Sequence, residues 1–356
     1  MERSRIRSGT AALLLLLLLI LLAQNGAAVA AVLRERILLC LRTLIPSLYG
    51  CTAAAILLRE SGALSGISKK CRRTANFLGI PADCFAVFVI SQLAGYPVGA
   101  LLLRDLRQQG KTDESARLGG MCFGCGPAFA VGFAGGALFG DTAAGWMLFG
   151  ACICANLMLC LLTRPLDRGG NPGTQPAVMQ FSAEMLTNAA SGTMRSMAQI
   201  CGMVLLFGVI SALCGVLGLT AAAVRLGGLL GVPAQTVRAL LDALLDVTQL
   251  PAVFRCGLPY RTLLALTGAL LSFGGLCVHM QCIAVGGGRC AAGRLLCMRF
   301  FAAILTFLLL YAAAPLRQMP ETAAVFAPRT AVSATGSVLP ALLIICTGFP
   351  FLIKKD

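Results

Sequence analysis

The chain has 356 residues, of which 58% are hydrophobic and only 12% are charged. Because a soluble domain carries about 25% charged residues, this composition excludes an ordinary soluble protein and indicates one that is embedded in lipid. The net charge of +15 is divided into short clusters between apolar runs, which argues against a nucleic-acid-binding face and is typical of loops on the cytoplasmic side of a membrane.

Several apolar runs are long enough to cross a bilayer, which takes about 20 helical residues. They are residues 10–32, 37–58, 119–139, 143–163, 197–218, 262–285, 291–314 and 336–353. We therefore predict an all-α polytopic membrane protein with about eight transmembrane helices. Three arginines precede the first run and place the N-terminus inside. That run resembles both a retained anchor and a cleaved signal peptide, so both alternatives stay open for residues 1–31.

A single apolar segment, Asp83 to Leu103, separates two basic loops at residues 69–73 and 104–117. One full crossing would place one of these loops outside, whereas a segment that enters and returns keeps both inside. Gly95-Tyr96-Pro97 supplies a break at its centre, because proline removes a backbone donor and glycine permits a reversal. We therefore predict a re-entrant helical hairpin over residues 83–109, with an ordinary kinked span as the alternative.

Residues 236–256 are poorly apolar and predict a second hairpin, which enters from the opposite side. The order span, hairpin, span, span then occurs twice, in residues 37–163 and 197–314. Inverted repeats with paired broken segments are typical of secondary transporters. The predicted domains are an anchor or signal peptide (1–36), a first gate repeat (37–163), a linker with an amphipathic segment (164–196), a second gate repeat (197–314) and a C-terminal loop with the last span (315–356).

Three motifs carry a resemblance to a known family. They are Gly95-Tyr96-Pro97-Val98-Gly99-Ala100, Cys125-Gly126-Pro127-Ala128-Phe129, and residues 272–281 (SFGGLCVHMQ). They resemble the signatures of the YlbJ/SpoVV-type sporulation integral membrane proteins, whose nucleoside recognition (gate) domains are related to concentrative nucleoside transporters. The resemblance spans the chain from about Ile37 to the C-terminus. It implies translocation of dipicolinic acid during endospore formation and, in a sporulating host, a place in the outer forespore membrane.

Broken helices leave backbone N–H and C=O groups without their usual partners, and in lipid such groups must face protein or a wet cavity. Two hairpin tips that meet at mid-membrane would offer these groups to a solute, and helix N-termini favour carboxylates. The residues that we expect to bind the substrate are Ser91, Gln92, Gly95, Tyr96, Pro97, Gly126, Pro127, Asp246, Thr248, Gln249, Ser272, Gly275, His279 and Gln281.

Asp246 is a functional candidate because a carboxylate at membrane depth is costly unless it is paired or hydrated. It is a candidate for binding Na⁺ or exchanging a proton, the two possible coupling ions. The alternative is an interfacial helix whose solvated face carries Asp242 and Asp246. For His279, the only histidine, we expect a hydrogen-bonded structural role, with proton coupling as the alternative.

Arg195 and Arg299 lie near predicted span ends, so we expect them to snorkel to the interface. The alternative is that either arginine complements an anionic solute. The residues from Gly124 to Phe129 are expected to break the third span, and close helix packing through glycines is the alternative.

Enzymatic chemistry finds no support in the sequence. Gly286-Gly287-Gly288-Arg289 lacks the ending of a phosphate-binding loop, and no catalytic triad or metalloprotease helix is present. Cys122 and Cys125 have no second pair or histidine at zinc spacing. Most of the 17 cysteines lie in apolar runs and are interpreted as small packing residues. We predict no cofactor and no metal.

The function expected from these features is a transporter or facilitator of a small anionic metabolite in the cell membrane. One alternative is an ion-coupled nucleoside-type transporter. The other is a non-transporting membrane scaffold of the sporulation machinery, with the basic loop Lys69–Arg73 as its docking patch. The expected partners are the solute and the bilayer, without nucleic acid, and a homo-oligomer is possible.

Overall fold

The computed structural model describes residues 15–110, 115–164, 182–286 and 292–314. Over these ranges the chain is helical and forms no β-strand, which confirms the all-α prediction for this part of the chain. The last predicted span (336–353), most of the linker after Arg164 and the N-terminal arginines lie outside the described residues. The described ranges all belong to one structural unit.

The helices are numbered in chain order. They are α1 (Leu15–Gln24), α2 (Gly26–Glu60), α3 (Ala63–Lys70), α4 (Arg72–Leu78), α5 (Ala82–Ala94), α6 (Val98–Gln108), α7 (Ser115–Met121), α8 (Ala128–Phe139, π-helical), α9 (Thr142–Leu162), α10 (Ala183–Val216), α11 (Leu219–Leu229), α12 (Ala234–Leu245), α13 (Leu250–Phe254, after a 3₁₀ turn at Val247–Gln249), α14 (Tyr260–Phe273), α15 (Gly275–Val285) and α16 (Ala292–Ala313).

Four stretches of these described helices are long and apolar enough to cross a membrane: α9, α10, the pair α14–α15, and α16. The bent pairs α1–α2 and α4–α5 raise the number to six if each counts as one span. The chain therefore has the long apolar helices of a membrane protein. The predicted count of eight spans with two re-entrant hairpins stays a prediction.

The N-terminal region differs from the predicted pair of spans. The chain bends by 87° between α1 and α2, at Asn25, rather than between residues 32 and 37. From Gly26 to Glu60 the helix continues without interruption and contains a π-helical stretch at Cys40–Leu44. This wider turn immediately precedes Pro46, whose ring would otherwise clash with the carbonyl four residues earlier.

Both predicted hairpins are helix–break–helix units whose two ends lie side by side. Asp83, at the start of α5, and Asp105, near the end of α6, line the same cavity. In the second hairpin, Nε2 of Gln235 at the start of α12 donates to the carbonyl of Arg255, just after α13, at 2.9 Å. The first helix break therefore lies at the predicted Gly95-Tyr96-Pro97, and the second lies at Asp246, inside the predicted range 236–256. Whether the two units are re-entrant in a bilayer stays a prediction.

The same order of elements occurs twice. In each half, a long helix (α2 or α10) is followed by short helices (α3–α4 or α11) and by a hairpin (α5–α6 or α12–α13). A broken helix (α7–α8 or α14–α15) and an unbroken one (α9 or α16) complete the unit. This order agrees with the predicted repeat, whereas the opposite orientation of the two halves in a bilayer stays a prediction.

The core around the breaks combines residues of both halves, among them Phe123, Phe129, Val247 and Leu271. Close contacts between helices depend on glycine: a Cβ added to Gly135 on α8 would lie 2.5 Å from the Cα of Gly145 on α9. Three of the cysteines that were interpreted as packing residues are buried, namely Cys152, Cys160 and Cys277, whereas Cys154 is exposed. Small side chains therefore allow the helices to approach closely.

Candidate functional site

The two breaks of the first half contact each other backbone to backbone. Gly95 has a φ of +84° and Gly126 a φ of +71°, in the region where glycine is favoured. A Cβ on Gly95 would lie 3.4 Å from the carbonyl oxygen of Cys125, and one on Gly126 would lie 3.1 Å from the Cα of Gly95. The hairpin tip at residues 95–97 is therefore held against the broken segment between α7 and α8.

The two breaks of the second half meet in the same way. Gly274, between α14 and α15, and Gly275, the first residue of α15, have φ values of +83° and +74°. A Cβ on Gly275 would lie 2.9 Å from the backbone nitrogen of Val247 and 3.3 Å from the Cα of Asp246. Each hairpin tip thus packs on the broken helix that follows it in the chain.

Asp246 is buried and fully engaged. Its side chain, which is 1% exposed, accepts a hydrogen bond from Nη1 of Arg36 at 2.9 Å. It also accepts from the backbone N–H of Thr248 at 3.0 Å and from the Thr248 hydroxyl at 2.8 Å. The alternative of one solvated helical face with Asp242 is therefore wrong, since Asp246 is buried and lies just after the end of the helix. Asp242 accepts separately from the hydroxyl of Ser211 at 2.7 Å. The ion pair offsets the cost of burying either charge alone.

A small central cavity, of about 30 Å³, lies between the two halves. Its polar wall consists of Tyr96 from the first half and Asp246, Thr248 and Gln281 from the second. The remaining lining is mostly aliphatic and aromatic, from α2, α8, α10 and α15. Since one water molecule needs roughly 10–15 Å³ measured in this way, the cavity has room for about two waters.

Tyr96 connects the halves directly. Its hydroxyl donates to the carbonyl of Leu271 near the end of α14, and its ring lies 5.0 Å from that of Phe123. Gly274 of the second half packs against the same Phe123 ring, because a Cβ on Gly274 would lie 2.5 Å from it. The tip of the first hairpin is therefore fixed to the broken helix of the second half.

Arg299 does not snorkel, and that prediction is wrong. Its side chain is completely buried and donates to the carbonyl of Ser272 at 2.9 Å, to the Ser272 hydroxyl at 2.9 Å and to the carbonyl of Gly120 at 2.7 Å. These two carbonyls belong to the last turns of α14 and α7, where helices carry partial negative charge. One guanidinium thus caps a broken helix in each half. It also donates to Oδ1 of Asn156 at 2.7 Å.

Asn156, on α9, extends this network into the first hairpin. Its amide nitrogen donates to Oε1 of Gln92 at 3.1 Å and to the carbonyl of Phe123 at 3.2 Å. Gln92 in turn donates to the carbonyl of Met121 at 3.3 Å and to the hydroxyl of Ser91 at 3.2 Å. The polar groups at the first break are therefore satisfied by protein, as lipid burial requires.

Comparison with known proteins gives no relative. No family model matches this chain, and no curated protein or solved structure gives a significant match. The resemblance to the YlbJ/SpoVV-type proteins therefore rests on the three sequence motifs and stays a prediction. Among the described residues, no group of three or more His, Cys, Asp or Glu side chains is arranged to hold a metal ion.

The predicted site residues fall into separate groups. The central cavity is lined by Tyr96, Asp246, Thr248 and Gln281. The backbone contacts between breaks are made by Gly95, Gly126 and Gly275. The Arg299 network includes Ser91, Gln92 and Ser272, while Pro97 lines a second, larger cavity. Pro127 directly precedes α8, and the Gln249 backbone N–H donates to the carbonyl of Asp246 at 3.0 Å. The structure thus brings four of the predicted residues together at one cavity, whereas substrate binding by the set stays a prediction.

His279 is held by a hydrogen bond and by two aromatic rings, as expected for a structural residue. Its Nδ1 lies 2.7 Å from the carbonyl oxygen of Gly275. Its ring packs between those of Phe123, at 5.3 Å, and Phe273, at 4.8 Å. Nε2 is buried and bonds none of the described residues. The expected hydrogen bond is present, and a role in proton coupling stays untested.

Arg36 and Asn156 were missed by the sequence analysis. Arg36 falls in the gap between two predicted spans, where a charge is ordinarily interpreted as part of a loop. The rule that a carboxylate within a membrane needs a partner would have prompted a search for a cation to pair with Asp246. It does not select Arg36 from the 29 lysines and arginines of the chain.

Proposed function

We propose that this chain is a multi-pass membrane transporter or facilitator of a small anionic metabolite, with dipicolinate as the substrate by resemblance. The observation that carries the proposal is the cavity between the broken segments of the two halves, whose wall includes the buried carboxylate of Asp246. In many secondary transporters, discontinuous helices form the solute site at the interface between repeats. The solute would occupy an enlarged form of this cavity.

The charges around the cavity support an anionic solute. Asp246 alone would repel a carboxylate, but its ion pair with Arg36 removes that net charge. Arg36 bonds Asp246 and Thr248 through Nη1 and is not itself part of the cavity wall. In this proposal its other guanidinium N–H groups reach the carboxylate of the solute once the site opens. The aliphatic and aromatic lining, with few polar groups, suits a solute that combines an apolar ring with charged substituents.

The size of the cavity supports movement as part of the cycle. Small-molecule sites typically enclose about 300–1,000 Å³, ten times or more the volume found here. The structure therefore corresponds to a closed state in this proposal. One half would move against the other to open the site, as expected for alternating access.

Asp246 is also where an ion would couple to transport in this proposal. Protonation of Asp246 would weaken its pairing with Arg36, and a Na⁺ ion bound there would compete with the guanidinium for the carboxylate. Either event would free Arg36 for the solute. Binding of the ion at Asp246 would then be linked to release of Arg36 and so to binding of the solute, as coupled transport requires.

Uptake by the purified full-length protein in liposomes tests the proposal. Labelled dipicolinate and labelled uridine would be compared under imposed Na⁺ and H⁺ gradients, with empty liposomes as the control. Saturable dipicolinate uptake is the expected result. Uridine uptake that dipicolinate does not compete with would favour the nucleoside-type transporter instead, and no uptake of either solute would favour the scaffold.

Labelling from one side of the membrane tests the placement of the first hairpin. A membrane-impermeant amine reagent would be applied to single-lysine variants that retain Lys70 or Lys111. The re-entrant arrangement predicts that both lysines are labelled from the same side. Labelling from opposite sides would show that residues 83–109 cross the membrane, and the inverted repeat would be wrong.

A further inference from the structure

A second cavity, of about 420 Å³, adjoins the central one. It is bounded by α2, by the start of α6, by the first half of α10 and by the end of α15. Its volume lies in the range of small-molecule sites, and it is about fourteen times larger than the central cavity. It is therefore the larger of these two adjoining spaces.

Three arginines line this second cavity: Arg59, Arg104 and Arg195. No acidic side chain is among its described lining residues. Another cavity of similar volume also includes Arg59, but it is lined in addition by Asp83 and Asp105 and is therefore of mixed charge. A cluster of guanidinium groups without carboxylates in the same wall is suited to an oxyanion.

The arginines are only partly committed to protein groups. Arg59 pairs with Asp105 and Glu60, each at 3.1 Å. Arg104 lies 3.6 Å from Asp105 and donates to the carbonyl of Val285 at 3.1 Å, while its buried Nε bonds none of the described residues. Arg195 is exposed and makes no ion pair with any described residue. The cavity therefore keeps at least one positive charge that the described part of the chain does not balance.

The wall between the two cavities is thin. Ile200, on α10, lines both of them. The consecutive residues Tyr96 and Pro97, at the tip of the first hairpin, line one cavity each. A displacement of this tip or of the Ile200 side chain would therefore join the two spaces.

We infer that the arginine-lined cavity binds a small organic anion with carboxylate groups and holds it next to the central site. That the bound anion then passes into the central cavity rests on the proposed transport function. Arg195 is the residue that recognises the anion, because its charge is free of carboxylate partners in the described chain. Anionic lipid headgroups share the oxyanion chemistry, so the test must separate them from a dissolved solute.

Equilibrium binding of labelled pyridine-2,6-dicarboxylate to the full-length protein in nanodiscs of neutral lipid provides the test. Arg195→Gln should weaken binding about tenfold, the effect of losing one charge-assisted hydrogen bond. Arg225→Gln should leave binding unchanged, since Arg225 is also an exposed arginine and lies on α11 outside both cavities. Because both side chains are exposed, neither change should disturb folding.

The outcomes separate this inference from the proposed function. Binding that depends on Arg195 in a protein without uptake would support the anion site and contradict transport. Uptake with equal binding by Arg195→Gln and the parent protein would overturn the anion site and leave transport intact. If the dicarboxylate binds neither protein, and Arg195→Gln loses only its retention of phosphatidylglycerol in mixed-lipid nanodiscs, the cavity is a headgroup site and the inference is wrong.

Discussion

Arg36 and Asp246 form an ion pair of 2.9 Å between side chains that are 210 positions apart in the chain. Both are almost fully buried, at 6% and 1% side-chain exposure. The pair joins the long N-terminal helix α2 to the tip of the second hairpin. Residues before the first predicted repeat are thus part of the candidate site.

Removing one partner of this pair should be far more harmful than removing both. Arg36→Gln leaves a buried carboxylate without its cation, so we expect the free energy of unfolding to fall by about 3–5 kcal/mol. The double variant Arg36→Gln/Asp246→Asn should recover much of that loss. Thermal unfolding in detergent measures both, with the exposed neighbour Arg34→Gln as the control. Equal stability of Arg36→Gln and the parent protein would show that the pair is not formed.

Arg299→Lys should destabilise the protein although it keeps the charge. Lysine cannot reproduce the guanidinium fork that reaches Ser272, Gly120 and Asn156 together. Each buried acceptor left without a donor costs about 1–3 kcal/mol. Arg294→Lys, at an exposed position of the same helix α16, is the matched control. If the two substitutions have the same effect on the unfolding temperature, Arg299 is at the membrane interface, as the sequence first indicated.

Gly99→Ala and Gly150→Ala should have opposite effects. Both glycines are inside helices, but a Cβ on Gly99 would lie 2.0 Å from the carbonyl oxygen of Cys122, whereas one on Gly150 would meet nothing within 4 Å. We expect a loss of about 1–3 kcal/mol from overpacking at Gly99 and a gain of up to about 1 kcal/mol from helix propensity at Gly150. Unfolding in detergent compares them, and a tolerated Gly99→Ala would contradict the close packing of α6 on the first break.

Ile200→Ala should open the wall of the central cavity. Cys277 lines that cavity and is buried, so N-ethylmaleimide should modify it slowly in the parent protein. Loss of the Ile200 side chain should accelerate the reaction, because the arginine-lined cavity then reaches the thiol. Leu206→Ala, an exposed position on the same helix, should not. Mass spectrometry of each cysteine gives the rates, and identical rates in the two variants would place the barrier elsewhere.

Local sequence signals predicted the breaks well. Gly95-Tyr96-Pro97, the Cys125-Gly126-Pro127 segment and the polar run around Asp246 all interrupt helices where expected, since glycine and proline act on their own backbone. The side-chain partners were not predictable in this way. Arg299 lies seven residues into α16, and a position near a span end gives no sign that it caps two helices elsewhere in the chain.

The main error in the predicted spans concerned charged residues next to an apolar run. Arg34, Glu35 and Arg36 fall between the predicted spans 10–32 and 37–58, yet they lie within the continuous helix α2. Arg34 and Glu35 are exposed, whereas Arg36 is buried against Asp246. Hydropathy averages over all three residues, so it cannot distinguish a loop from a helix with one buried charge.

Uptake by one variant with a changed cavity and by one control variant tests most directly whether the solute passes through the central cavity. In liposomes, the double variant Arg36→Gln/Asp246→Asn should insert normally and take up no labelled dipicolinate. Asp242→Asn, four residues away on the same hairpin, should retain uptake close to that of the parent protein, because the Asp242 carboxylate accepts its hydrogen bond from Ser211 rather than from Arg36. Full uptake by the double variant would contradict the proposed site.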